Sequence, residues 1–110
     1  MDDEPLESGE SITAEERCQD AVDKGVDIWH LMCGSALEVF MTRPQTAHCI
    51  SESSEGRAAG YKKCRSSCPT ACFALSTRWG LYCQERAPLL MRSICEQARR
   101  NGQKKCLSSC

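Results

Sequence analysis

The sequence predicts a small all-α bundle of about four helices stapled by five disulfides. Ten of the 110 residues are cysteine, a density typical of disulfide scaffolds in short secreted chains. Apolar residues recur at three- and four-residue steps over most of the chain, as they do on one face of a helix. No stretch alternates polar and apolar residues with β-branched enrichment, which disfavours a sheet.

The chain divides into an acidic tail and one cysteine-rich domain. Residues 1–12 lack periodic apolar positions, which predicts a disordered N-terminal tail, and residues 13–110 are predicted to form a single helical domain. No apolar run of signal-peptide length follows the opening Met1-Asp2-Asp3-Glu4, so we expect the sequence to be that of a mature form. Whether residues 1–12 belong to the mature protein stays open. The cysteine content predicts a secreted, extracellular protein.

The first helix has the clearest start signal in the chain. Thr13-Ala14-Glu15-Glu16 fits the capping box, in which a threonine and a glutamate three residues later cap each other. The apolar stripe that follows comprises Cys18, Val22, Val26, Trp29, Cys33, Leu37 and Phe40. This helix is expected to stop before Pro44. Cys18 and Cys33 would stand roughly 22 Å apart on it, so they must bridge to different partners.

A connection and a second helix are predicted next. Residues 44–56 are interpreted as a connection that carries Cys49, with a short helical turn as far as Ile50 and a turn-rich segment after it. The second helix is predicted over residues 57–68, with Tyr61, Cys64 and Cys68 on one side.

Two prolines mark the later boundaries. Pro69 is expected to begin a third helix, because proline is favoured in the first turn, and Pro88 marks the boundary before a fourth. The residues expected to face inward are Cys72, Leu75, Trp79 and Cys83 on the third helix and Met91, Ile94, Cys95 and Ala98 on the fourth. The fourth helix is predicted to end at Asn101-Gly102, and Gln103–Cys110 to be a tail held by its cysteines.

All ten cysteines are expected to be oxidised, because their number is even and a framework of bridges accounts for every one. They are Cys18, Cys33, Cys49, Cys64, Cys68, Cys72, Cys83, Cys95, Cys106 and Cys110. Cys64, Cys68 and Cys72 are spaced four apart, which predicts a cross-linking seam on one helix face. Neighbours one turn apart seldom reach the Cβ separation of about 3.5–4.5 Å that a disulfide needs. The pairing itself stays open.

Metal and catalytic chemistry are weighed against this framework. A zinc site would use the pairs Cys64/Cys68 and Cys106/Cys110 but would leave six cysteines without a role, so no metal or other cofactor is expected. For the two histidines, His30 and His48, spacing cannot show the partners that a nucleophile, base and orienting acid would need, and Cys49 beside His48 is interpreted as half of a bridge and not as a nucleophile. We therefore expect a protein that is not an enzyme and has no catalytic residues.

Charge is distributed unevenly along the chain. Residues 1–16 contain seven acids and no base, whereas residues 57–105 contain eleven bases and two acids. The basic half is either a solvated face or the surface that meets an anionic partner. The candidate binding residues are Lys62, Lys63, Arg65, Arg99 and Arg100. These bases are not interleaved with stacking aromatics, so nucleic acid is not expected as a partner, while contact with a membrane surface stays open.

The ten separated cysteines, the Cys64–Cys72 cluster and the closing Cys106-Leu107-Ser108-Ser109-Cys110 carry a family resemblance. The chain resembles the large disulfide-rich helical venom proteins of cone snails, which include con-ikot-ikot toxins and saposin-like conotoxins with ten separated cysteines. Con-ikot-ikot toxins contain adjacent cysteine pairs and this chain has none, so the likeness is to the separated-cysteine branch. The resemblance implies a non-enzymatic neurotoxin, often dimeric, that modulates a neuronal ion channel or receptor, with voltage-gated calcium channels and glutamate-type receptors as candidate targets.

A homodimer is expected because the chain has more large apolar groups than a thin bundle readily covers. The groups concerned are Trp29, Met32, Leu37, Phe40, Met41, Trp79 and Leu81. Two other functions stay open beside the toxin. One is a secreted cysteine-rich signalling factor, and the other is a saposin-like protein that binds lipid or a membrane through an opened helical core.

Overall fold

A computed structural model describes residues 13–36 and 41–110. It contains four α-helices: α1 (Ala14–Leu31), α2 (Arg43–Lys63), α3 (Cys68–Glu85) and α4 (Arg92–Ser109). A π-helical turn, Met32–Ala36, follows α1, and a 3-10 turn, Leu89–Met91, leads into α4. The described residues form no strand, so the predicted all-α class is confirmed. The tail predicted at residues 1–12, and the apolar Leu37 and Phe40, lie outside the described residues.

The capping box predicted for α1 is confirmed. The Glu16 backbone N–H donates to Thr13 Oγ1 at 3.1 Å, and the Thr13 N–H donates to Glu16 Oε1 at 2.9 Å. The buried face of α1 comprises Cys18, Ala21, Val22, Gly25, Val26 and Trp29. The regular helix ends at Leu31 and not just before Pro44, because the π-helical turn takes over there.

The connection predicted at residues 44–56 is wrong, because this segment is the first two thirds of α2. A second capping box starts the helix, with the Gln45 N–H donating to Thr42 Oγ1 at 3.3 Å and Pro44 in the first turn. The buried residues of α2 are Cys49, Ser53, Gly56 and Gly60. Since this face is built from small residues, the sequence shows no amphipathic pattern there. Ser53 is fully buried, and its hydroxyl donates to the Ile50 carbonyl at 2.8 Å.

α2 ends at Lys63, earlier than the predicted residue 68, and a short turn follows. Ser67 caps α3 by accepting a hydrogen bond from the Thr70 N–H at 3.1 Å, and Pro69 lies in the first turn as predicted. Cys64 therefore lies at the end of α2 while Cys68 lies on α3. The single helix face predicted for the three-cysteine seam is wrong, although all three cysteines do bridge to other segments.

The end predicted for α4 at Asn101-Gly102 is also wrong, because the helix continues to Ser109 and includes the predicted tail. Gly102 lies where α4 crosses α1. A Cβ at this position would lie 2.2 Å from Trp79 Cζ3 and 3.0 Å from the Gly25 carbonyl oxygen. The glycine therefore permits the close approach of the two helices and does not end one. Ile94, predicted to face inward, is 40 % exposed.

Five disulfides define two ends of an antiparallel bundle. We call the end where α1 and α3 begin the stapled end, and its bridges are Cys18–Cys64, Cys68–Cys110 and Cys72–Cys106. We call the opposite end the corner end, and its bridges are Cys33–Cys49 and Cys83–Cys95. Cys18 and Cys33 thus have different partners, as predicted. Each helix packs on its chain neighbours, α1 also packs on α4, and α1 contacts α3 across the bundle.

The large core side chains lie towards the corner end. The rings of Trp29 and Trp79 stack with their centroids 4.7 Å apart, and Tyr82 lies 6.1 Å from Trp29. Both tryptophans are fully buried, and Met32 is 3 % exposed. These three residues therefore belong to the core and not to the apolar surface from which a homodimer was predicted, whereas Leu81 is 48 % exposed.

A polar clamp joins α1 to α2 beside this core. The Tyr61 hydroxyl donates to Asp23 Oδ1 at 2.5 Å, and Arg57 Nε lies 3.1 Å from the same oxygen. Burial, together with the hydrogen bond and the charge of Asp23, raises the pKa of Tyr61 to about 12. The phenol therefore stays protonated and keeps donating at pH values where a free tyrosine would ionise.

Candidate binding surface at the stapled end

The stapled end is built from four helix ends held together by three disulfides. Lys62 and Lys63 form the last turn of α2, where a positive charge is favoured beside the exposed helix carbonyls. Arg65 lies in the turn that follows. Because Cys64 and Cys68 flank this turn and are bonded to Cys18 and Cys110, the backbone that carries the bases is fixed on both sides.

The first turn of α1 brings Glu15, Glu16 and Arg17 to this end. Five further bases, on the other helices and the turn after α2, are exposed here without an ion-pair partner among the described residues. They are Lys62, Lys63, Arg65, Lys104 and Lys105. The sequence explains this absence, since residues 57–84 and 97–110 contain no aspartate or glutamate. The lysines of α4 reach this end because Cys106 and Cys110 tie the last two turns of that helix to the first two turns of α3.

Two sequence candidates remain. The Arg99 side chain is half-buried and bound by its neighbours, whereas Arg100 is exposed. Arg99 Nε lies 2.9 Å from Glu96 Oε1, and its Nη1 donates to Ser76 Oγ at 3.0 Å. The Ser76 hydroxyl in turn donates to Gln103 Oε1 at 2.6 Å. Arg99 is therefore part of the contact between α3 and α4. Arg100 is solvent-exposed halfway along α4.

The sequence candidates did not include Lys104 and Lys105, which lie in the segment Gln103–Cys110 that was predicted to be a tail. The signal that could have placed them is the repeated Cys-x3-Cys spacing, which occurs at Cys68/Cys72 and again at Cys106/Cys110. Two such pairs on antiparallel helices face each other turn for turn. This match would have extended the fourth helix and added its last bases to the surface.

A cluster of sulfur atoms lies beneath the bases. The Sγ atoms of Cys68, Cys72 and Cys110 lie within 4.8 Å of one another. Each of them is bonded in a disulfide, and zinc is held by thiolates. The Cys64/Cys68 pairing considered for a zinc site is not formed, because Cys64 is bonded to Cys18. These sulfurs therefore act as covalent links in the oxidised protein.

The two histidines lie away from this surface. His48 Nε2 is 3.7 Å from Glu52 Oε2, and its ring centroid is 5.9 Å from that of Tyr82. Arg78 also binds Glu52, through Nε at 3.0 Å and Nη2 at 2.8 Å. Burial, with the nearby charge of Glu52, raises the pKa of Tyr82. His30 is half-buried on α1. Within the described residues, neither imidazole is hydrogen-bonded to a hydroxyl or thiol nucleophile.

Fold and bridges together define a small all-α protein stapled by disulfides. Such a bridge density is typical of extracellular and secreted proteins. Among the described helices, none combines the length and apolar character that a membrane span requires. Comparison of the chain with protein-family models, with characterised proteins and with solved structures found no match.

Proposed function

We propose that this protein is a secreted, non-enzymatic toxin whose stapled end binds the extracellular face of a neuronal ion channel or receptor and alters its gating. The observation that supports it is the set of five exposed bases on α2, α4 and the turn after α2, which belong to segments (57–84 and 97–110) that contain no acid, while the acids Glu15 and Glu16 of this end lie on the first turn of α1. Outer vestibules and receptor surfaces are often acidic, so the charges are complementary. The resemblance to cone-snail venom proteins supports a neuronal target, of the voltage-gated calcium channel or glutamate-receptor type.

The proposal rests on two physical properties of the stapled end, a rigid backbone and a group of exposed positive charges. Because Arg65 lies between two bridged cysteines, little backbone freedom is lost on binding, which lowers the cost of association. Exposed charges of one sign raise the association rate with an oppositely charged partner. Salt screens such charges over about 8 Å at physiological ionic strength, so association should slow as salt rises.

The test is calcium imaging of mixed sensory neurons exposed to the folded, oxidised protein. We expect altered depolarisation-evoked responses in a subset of cells. The variant K62Q/K63Q/R65Q should need about tenfold more protein for the same response, mainly through a slower on-rate. The matched control is K62R/K63R/R65K, which keeps three positive charges at the same positions and should keep the potency of the parent.

Two outcomes contradict the proposal in different ways. Silence across all neuronal classes at micromolar dose would remove the neuronal target and favour a secreted signalling factor. Equal potency of K62Q/K63Q/R65Q and its charge-conserving control would show that the toxin acts through another surface. We also propose that the active form is a homodimer, which sedimentation of the oxidised protein at micromolar concentration tests directly.

A further inference from the structure

A protruding pair of leucines lies at the corner end, outside the surface proposed for receptor binding. Leu89 and Leu90 are 76 % and 82 % exposed, and they occupy the 3-10 turn that joins α3 to α4. The backbone beneath them is anchored, because Met91 is fully buried and its N–H donates to the Pro88 carbonyl at 2.8 Å. The turn is therefore held in place while both leucine side chains project into solvent.

Positive charges flank the two leucines. Arg86 and Arg92 are exposed on either side of the turn, and neither has an ion-pair partner among the described residues. Residues 86–95 contain no acid. Glu85 and Glu96 lie just outside this segment, and Glu96 is paired with Arg99. The corner thus presents two exposed leucines at its tip, with one exposed arginine on each side of them.

Apolar exposure is concentrated around this corner. Of the seven exposed large hydrophobic residues in the described part of the chain, six lie in the corner half: Leu31, Ile50, Leu81, Leu89, Leu90 and Ile94. Ile94 follows Leu90 by one helical turn and lines a groove of about 290 Å³ between α1 and α4. Phe73 is the seventh and lies near the start of α3.

We propose that this corner inserts into the interface of an anionic phospholipid bilayer. Leu89 and Leu90 enter the boundary between headgroups and acyl chains, where apolar side chains gain by leaving water. Arg86 and Arg92 contact the lipid phosphates, and negatively charged lipids attract such bases. The helical core stays closed in this mode, with Trp29, Trp79 and Met91 fully buried inside it. This mode differs from lipid binding through an opened core.

The shape of the corner favours a bilayer over a protein partner. A stable protein interface buries on the order of 1,200–2,000 Å² in total, and two leucines on a convex turn offer a small part of it. A fluid bilayer can close around a convex tip. The helix rise places the end of α4 about 27 Å from its start. The stapled end would then face away from the membrane surface, free to meet a channel or receptor, although the membrane proposal does not depend on that partner.

The test is flotation of the oxidised protein with vesicles of phosphatidylcholine alone and with roughly 30 % phosphatidylserine added. We expect binding to the anionic vesicles, and Leu89→Ser/Leu90→Ser should lower the partition coefficient at least tenfold. The matched control is Phe73→Ser, which removes an exposed apolar side chain near the start of α3, away from the corner, and should change binding less than twofold. Helicity and intact mass establish that each variant is folded and fully bridged.

Two further variants separate insertion from simple adsorption. Arg86→Gln/Arg92→Gln should weaken binding to anionic vesicles severalfold, whereas K62Q/K63Q/R65Q should leave most of it intact. Leu90→Trp supplies an exposed indole in a protein whose native tryptophans are buried. Its emission should shift to the blue on anionic vesicles, and acrylamide should quench it less.

The proposal is overturned if Leu89→Ser/Leu90→Ser partitions like the parent, if the parent does not float with anionic vesicles, or if the Leu90→Trp emission does not shift. A loss of dimer in Leu89→Ser/Leu90→Ser without any vesicle binding by the parent would assign the corner to self-association. The vesicle assay contains no receptor, so its failure leaves the neuronal proposal standing, and silence in neurons leaves the membrane proposal standing.

Discussion

The stapled end and the corner end hold the same four helices together by different means. Three disulfides cross-link the stapled end, and the residues buried nearby are small, such as Ala21, Val22, Gly60 and Ala71. The corner end has two disulfides and buries the stacked tryptophans, Tyr82 and Met91. Where the core is thin, covalent links replace packing.

The different balance of disulfides and packing at the two ends also accounts for the residues that each end exposes. Like charges at a helix end repel one another, and a bundle held there only by packing would lose stability as bases accumulate. Disulfides act mainly by restricting the unfolded chain, and salt does not screen them. The stapled end can therefore expose Lys62, Lys63 and Arg65 together. The corner end, where packing is strong, exposes Leu89 and Leu90 between Arg86 and Arg92.

Removing one bridge from each end gives the largest expected effect. The Cys72–Cys106 bridge spans 34 residues and the Cys83–Cys95 bridge spans 12. By loop entropy, C72A/C106A should lower the free energy of unfolding by about 4 kcal/mol and C83A/C95A by about 3 kcal/mol. Chemical denaturation without reductant measures both. If C83A/C95A proves the more damaging, the stapled end does not depend on its bridges more than the corner end does.

The crossing of α1 and α4 supplies the next largest effect. Gly102→Ala should destabilise the fold by about 1–3 kcal/mol, because the new methyl meets the Trp79 ring and the Gly25 backbone, which are not free to move aside. Gly34→Ala is the matched control, since a Cβ added there would meet no other atom within 4 Å. Thermal unfolding of both variants measures the contrast. Equal stabilities would mean that the helices cross elsewhere.

The smallest effect concerns the clamp between α1 and α2. Tyr61→Phe should cost about 1 kcal/mol at neutral pH through the lost hydrogen bond to Asp23. The pKa of Tyr61 is raised from 10.0 to about 12 in the folded protein. The folded state therefore holds the proton longer than the unfolded chain, so this contribution is full below pH 10 and is lost as pH rises through 12.

Brief thermal scans between pH 9 and pH 12 on the parent and on Tyr61→Phe measure this loss. The parent should become less stable over that range, and the variant should lose less because Tyr82 is then the one remaining tyrosine whose raised pKa makes stability fall with pH. Parallel curves for the two proteins would show that Tyr61 does not carry the alkaline dependence.

The sequence predicted those elements whose signals are local. The capping pair Thr13 and Glu16 correctly predicted the start of α1, and Pro69 correctly predicted the start of α3. α2 was missed where its buried face is made of Ser53 and Gly56, because small residues carry no hydrophobic periodicity, although Gly56 fits against the Trp29 ring. No local pattern distinguishes a glycine that ends a helix from one at a helix crossing, so Gly102 was misread.

The candidate surface was also predictable only where its signal is local in the sequence. Exposed bases at a helix end, such as Lys62 and Lys63, follow from the sequence once the helix is located. The Glu96–Arg99 pair has the i, i+3 spacing of neighbours on one helix and follows from the sequence, whereas the hydrogen bond of Arg99 to Ser76 depends on how α3 and α4 pack. The cysteine pairing is likewise a property of the assembled bundle, since cysteines carry no mark of their partners.

The disulfide map tests the central claim, that three bridges close one end of the bundle and two close the other. Tryptic digestion without reduction, with electron-transfer fragmentation of the linked peptides, should give Cys18–Cys64, Cys33–Cys49, Cys68–Cys110, Cys72–Cys106 and Cys83–Cys95. The nearest alternative exchanges partners at the stapled end, where the Sγ atoms of Cys72 and Cys110 lie 3.7 Å apart in different bridges. A bridge between a stapled-end cysteine and a corner-end cysteine, or any free thiol, would contradict the account, whereas Cys72–Cys110 with Cys68–Cys106 would correct only the pairing within the stapled end.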